Sequence, residues 1–121
     1  MAERQTHYRD IVPFTTKDGS TIRELMHPQQ HGNANQSLAE ATVPPGATTL
    51  LHRHHQSEEL YHVTAGEGMM VLGAERFAVS AGDTVQIPPG TPHAIENRGT
   101  VELKILCCCA PPYAHDDTVL L

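Results

Sequence analysis

An all-β fold, a sandwich or barrel of short strands, is what this sequence predicts. Two observations carry the prediction. Apolar residues recur mostly with period two, the spacing that puts alternate side chains on one face of a strand. Nine glycines and nine prolines are scattered through 121 residues, which suits many short elements joined by turns. No stretch of about a dozen residues holds a helical period of about 3.6, although the first ten residues have room for a turn or two.

The elements follow in chain order. Asp18-Gly19 marks a turn, and Thr21–Met26 is the strand after it. Residues 27–35 read as a polar loop. Gln36–Val43 is compatible with a strand and ends at Pro44-Pro45-Gly46. Glu59–Thr64 alternates, and Met69–Leu72 pairs with Glu75–Val79 about Gly73-Ala74 as a hairpin. Asp83–Ile87 is a short strand stopped by Pro88-Pro89-Gly90. Thr100–Cys109 puts Val101, Leu103, Ile105, Cys107 and Cys109 on one face, with Glu102, Lys104, Leu106 and Cys108 on the other. Met70, Leu72, Phe77, Val79 and Ile95 are expected to form the apolar wall of the barrel interior. Residues 110–121 read as an irregular tail. With no internal boundary and no repeat of solenoid length, residues 1–121 are expected to form one domain, with an N-terminal segment over 1–20.

Charge narrows the partners. Eight Lys and Arg stand against 14 Asp and Glu, a formal net charge of −6 that repels phosphate backbones, and no basic cluster offsets it. Nucleic acid is therefore not expected as a partner. The longest apolar run is a few residues, such as Met69-Met70-Val71-Leu72, far short of the roughly 20 that span a bilayer, so no membrane is expected either. The N-terminus lacks the apolar core of a secretory signal, which makes a cytoplasmic location the expectation. Three consecutive cysteines, Cys107, Cys108 and Cys109, fit that expectation. Neighbours on a strand point to opposite faces, which suits neither a disulfide nor a shared ion. Buried structural thiols are the simpler reading.

The chemistry concentrates in the histidines. His52 and His54 lie two apart on an extended segment, so both imidazoles can approach one ion while Arg53 points away. Glu59 opens the next strand and can add a carboxylate. The alternation Glu59, Tyr61, Val63 selects it over Glu58. His93 follows a turn stiffened by Pro88, Pro89 and Pro92. Three imidazoles and one carboxylate suit a divalent transition metal, Fe, Mn, Co, Ni, Cu or Zn, with positions left for water or substrate. Alternation turns His55 and His62 away. His7, His27, His31 and His115 read as ordinary surface or satisfied histidines.

Gly46-x5-His52-x-His54-x4-Glu59-x6-Gly66 resembles the first cupin motif. Gly82-x5-Pro88-x-Gly90-x2-His93-x3-Asn97 resembles the second, with the short spacing between them of small microbial cupins. Residues 46–97 carry the likeness. It implies a double-stranded β-helix, or jelly-roll barrel, with a metal inside near one mouth, and it puts the ligand role on His52, His54, Glu59 and His93. Gly46, Gly66, Gly82, Gly90 and Asn97 are expected to serve turns and hydrogen bonds. A barrel that kept this shape without its metal is the alternative.

Tyr61, in phase with Glu59, is the candidate catalytic residue beside a substrate, or else an amphipathic core tyrosine. No Arg or Lys can be placed inside. The resemblance leaves two readings of function open. One is a small metalloenzyme acting on a compact chelating molecule such as a keto acid, enol or diol, with a dioxygenase foremost and an isomerase, decarboxylase or lyase beside it. The other is a binding or sensor protein that turns nothing over. Small cupins resemble one another in pairing, so a homodimer, through the N-terminal strands, is expected.

Overall fold

The structure, a computed structural model, describes residues 4–121. Its strands in chain order are β1 (Phe14–Thr15), β2 (Thr21–Met26), β3 (Ser37–Val43), β4 (His52–His54), β5 (Glu58–Ala65), β6 (Glu67–Leu72), β7 (Glu75–Ser80), β8 (Thr84–Ile87), β9 (His93–Asn97), β10 (Leu103–Ala110) and β11 (Thr118–Leu120). They form two antiparallel sheets, one in the order β1-β2-β3-β10-β5-β8 and the other β11-β4-β9-β6-β7. The crossing of the chain between sheets makes a jelly-roll, as the sequence predicts.

One apolar core joins the two sheets. Met70 and Ile95 come from the smaller sheet, and Val63, Ile87, Leu103 and Ile105 from the larger; all are fully buried. Leu72 and Phe77 pack against this core from its margin and are only partly buried. The N-terminal segment lies across β2 and β3, where the Tyr8 hydroxyl donates to Glu40 and Thr6 Oγ1 donates to the Leu25 carbonyl.

Asn97 ties the sheets together at one end. Its Nδ2 donates to the Val43 carbonyl on β3 and to the Val101 carbonyl, and its Oδ1 accepts from Gly99 N, at 2.8–2.9 Å. Gly66 shows why a motif position excludes a side chain. Its φ is +84°, and a Cβ there would sit 2.8 Å from the Glu102 carbonyl.

The structure departs from the sequence reading in two places. Val101 is exposed and precedes β10, because the Asn97 bond to its carbonyl bends residues 98–102 off the pleat. The expected irregular tail contains a 3-10 turn, His115–Asp117, and then β11, which pairs with β4. Its sequence carries no apolar alternation; the unpaired edge of β4 and the Asp117 carboxylate, which accepts from Gln56 N and Ser57 N, hold it in place. At the other end, the expected turn is Tyr8–Asp10, and residues 1–3 lie outside the described residues.

Replacing Asn97 by Ala removes three hydrogen bonds, one buried and two part-buried, at about 1 kcal/mol each. We expect Asn97→Ala to lose about 3 kcal/mol of stability in urea unfolding; a loss under about 1 kcal/mol would mean that the bonds do not hold the sheets.

Candidate metal centre

Strand β4 is three residues long, and its pattern is buried, exposed, buried: His52 and His54 face inward and Arg53 outward. The pairing of His52 with His93 brings β9 alongside. Gly90 N donates to the His54 carbonyl at 2.7 Å, which clamps the Pro88–Thr91 turn onto β4 and delivers His93 to the same spot. The three imidazoles come from one sheet, each offering a ring nitrogen within 4.8 Å of the others. The ring centroids of His52 and His93 are 4.2 Å apart.

Glu59 enters from the opposite sheet on β5. Its Oε1 lies 3.1 Å from His54 Nε2 and 3.4 Å from His93 Nε2. Glu58, the neighbour that alternation rejects, is exposed, as are His55 and His62. Burial pushes the Glu59 carboxyl up, but its contacts with His54 and His93 outweigh burial and hold it at about 2. Burial also pushes the His52 imidazole below its usual range, and His93 adds to that.

The outer nitrogens decide which lone pairs face inward. His52 Nδ1 meets the Leu50 carbonyl at 2.8 Å, and His93 Nδ1 meets the Thr91 carbonyl at 3.0 Å. A carbonyl only accepts, so each Nδ1 carries the proton. His54 Nδ1 meets Thr118 Oγ1 at 3.0 Å, and that hydroxyl already donates to the Ala114 carbonyl. With each Nδ1 proton held on the outside, the three imidazoles turn Nε2 toward the centre. His93 Nε2 is buried and has no hydrogen-bond partner. Three converging ring nitrogens and a carboxylate are the donor set of a divalent transition metal, so these residues fit a metal ion.

The surrounding cavity is compact: the space open to the centre of a water molecule is about 50 Å³. Tyr61 lines it, buried, with its ring 5.9 Å from that of His93. Burial and the Glu59 charge push the Tyr61 hydroxyl well up, so it keeps its proton. Cys107 and Cys109 also line the cavity, and Cys109 Sγ donates to Glu59 Oε2 at 3.4 Å. Burial pushes both thiols up, which keeps them protonated and argues against thiolate ligation. Cys108 faces the other way and is partly exposed. Met70, Val79 and Ile95, expected as interior wall, pack in the core and do not border the cavity.

Several cavity residues escape a sequence reading. Asp18, read as part of a turn, places Oδ2 3.7 Å from His52 Nε2, while its Oδ1 accepts from Ser20 N and Oγ. Thr16, Asp18, Ser20, Ile22 and Glu24 all face the cavity. Their period of two was available in the sequence, but the inward set is mostly polar and so inverts the usual pattern. Tyr113 and Thr118 reach the site from the tail, and the Tyr113 ring meets His54 edge-on at 5.8 Å.

Known proteins align with these features. A Cupin domain family model matches residues 39–109. An uncharacterized protein of Methanocaldococcus jannaschii is 57% identical over 97% of this chain and 94% of its own length. The oxalate-binding protein of Thermotoga maritima is 32% identical over 69% of this chain, which spans 65% of that protein. The structure of a Streptomyces nucleoside dehydratase superposes with a TM-score of 0.79 at 17% identity, covering 98% of this chain and 91% of that one; at that identity the likeness is one of fold.

The Thr118 hydroxyl orients His54, and losing such an outer partner typically weakens a metal site about 10- to 100-fold. We expect Thr118→Val to fold and to lose affinity for a divalent transition metal by that factor in chelator competition; unchanged affinity would show that His54 needs no such partner.

Proposed function

This chain belongs to the cupin family, and from that premise we propose that it is a metalloenzyme in which His52, His54, Glu59 and His93 together hold one divalent transition ion. The observation that carries the reading is the convergence of three imidazole nitrogens beside an ionised carboxylate, with His93 Nε2 buried and unpartnered. Mixed imidazole and carboxylate donors suit Fe, Mn, Co, Ni, Cu or Zn. Such an ion, when bound, supplies Lewis-acid polarisation of substrate oxygens.

The substrate we infer is a small chelating molecule such as a keto acid, enol or diol, because the space beside the centre is compact. Within it Tyr61 serves as the candidate catalytic residue: a phenol that keeps its proton can donate a hydrogen bond to a developing negative charge on the substrate. Glu59 stays ionised and positions His54 and His93. Dioxygenase chemistry leads our list of reactions, ahead of isomerase, decarboxylase and lyase chemistry on the same scaffold. A second reading is binding without turnover; it is favoured by the 32% identical relative, an oxalate-binding protein.

A homodimer accompanies this proposal. Leu38 and Leu60 each pair with Cys108 in register and face outward across β3, β10 and β5, and they are 37% and 41% exposed. A second copy would cover that row, which lies on the middle strands of the larger sheet and not on the N-terminal strands expected from the sequence. Three free thiols suit a reducing compartment, so we place the protein in the cytoplasm. Among the described residues no helix is long and apolar enough to cross a membrane.

Elemental analysis of protein purified without added metal tests the centre. We expect near-stoichiometric transition metal in the native chain and at least a tenfold drop in His52→Ala and in His93→Ala; a native chain that neither carries nor takes up such an ion refutes the reading. Oxygen uptake by the iron-loaded protein with diketones or catechols, followed by product analysis, separates the reactions, and thermal stabilisation without conversion favours binding alone. In light scattering we expect twice the chain mass, reduced to the monomer by Leu60→Lys; a native monomer at every concentration excludes the dimer.

A further inference from the structure

The cavity beside the three histidines has a marked charge character. Three carboxyl groups line it, Asp18, Glu24 and Glu59, and no Lys or Arg does so among the described residues. Two of the three are already engaged. Glu59 faces His54 and His93 and accepts from Cys109, and Asp18 accepts two bonds from Ser20 and faces His52.

Glu24 differs from both. It is only 8% exposed, and its Oε1 is buried with no hydrogen-bond partner. A buried carboxyl without a partner is destabilising, so natural structures rarely keep one without a use. Its position suggests the use. Glu24, Phe14 and Tyr113 border both the inner cavity and an outer hollow that also touches His27 and Gln30. The three side chains therefore lie where the inner cavity and the outer hollow adjoin. Burial pushes the Glu24 carboxyl up, and the charge of His27 opposes this only in part.

We propose that Glu24 is the specificity-determining residue of this cavity, accepting a hydroxyl, amide or amine hydrogen from a compact uncharged ligand and disfavouring dicarboxylates. The inference rests on the metal reading above and narrows the substrate class for that same site to its uncharged members, the enols and diols rather than the keto acids. An entering dianion meets three carboxyl groups and no basic side chain in a poorly solvated space, where like charges repel strongly. The carboxylates of Asp18 and Glu59 by themselves balance a divalent cation, so little net positive charge remains to hold a dianion. An uncharged molecule with an oxygen pair and a nearby N–H or O–H meets no such opposition, and its donor satisfies the open Glu24 oxygen.

Malonamide and malonate test this, because they share one three-carbon skeleton and differ in charge and donors. Calorimetry on metal-loaded protein should show malonamide binding at least tenfold tighter than malonate. Glu24→Ala should lose malonamide affinity at least tenfold with its metal content unchanged, whereas Glu24→Gln, which keeps shape and polarity, should stay within about threefold of native. The thermal midpoint of Glu24→Ala should equal or exceed the native value, since an unpartnered group is removed; a lower midpoint marks Glu24 as structural and overturns the proposal. A metal-loaded chain that takes malonate as tightly as malonamide, binds no malonamide, or binds it equally well after Glu24→Ala overturns it too. A chain that takes up no ion fails earlier, in the elemental analysis, and overturns both readings together.

Discussion

Everything at this site depends on where three imidazole protons sit. The carbonyls of Leu50 and Thr91 and the hydroxyl of Thr118 each hold an Nδ1 proton on the outside, which turns three Nε2 atoms inward. Opposite them stands a carboxylate that stays ionised. Converging groups of this kind in a buried place are the set that a divalent cation completes. The jelly-roll frame holds the four side chains together. β4 and β9 carry the imidazoles on one sheet, β5 brings the carboxylate from the other, and the shared apolar core keeps the sheets at a fixed separation.

The two sheets contribute unlike surroundings. The smaller one, through Met70 and Ile95, packs into the core on one side of the histidines. The larger one offers a mixed inner face, with Asp18, Ser20 and Glu24 on one margin and Tyr61, Cys107 and Cys109 toward the middle, set among Ile22, Ala39 and Ala41. A ligand at the centre is thus met by imidazoles on one side and by carboxyl, hydroxyl and thiol groups on the other. This asymmetry bears on selectivity more than the metal does, because the donor set admits many ions and many reactions. Within the cavity, Glu24 is the polar group left without a partner, which is why the question of substrate turns on it.

Much of this was legible in the chain. The alternation of β5 and β10 placed Glu59, Tyr61, Cys107 and Cys109 on inward faces, and the two motif spacings singled out the three histidines. What escaped had a common cause. Residues 16–24 alternate with their polar side chains inward, so a reading that takes the apolar face as the buried one assigns them to solvent. Thr118 and Tyr113 belong to a tail without apolar periodicity, and β11 exists because the edge of β4 is there to pair with it. Val101 continues the pattern of β10 in sequence but is turned out by a side-chain bond from Asn97.

The division has a physical reason. Local rules, the two-residue repeat of a strand and the turn preferences of Gly and Pro, operate between near neighbours, and so composition and spacing alone determined an all-β chain and its candidate ligands. Contacts between segments far apart in the chain are outside the reach of such rules. Only the folded sheets decided that Thr118 meets His54 across 64 positions, that Asp18 faces His52, and that Glu24 is buried with its Oε1 unpartnered.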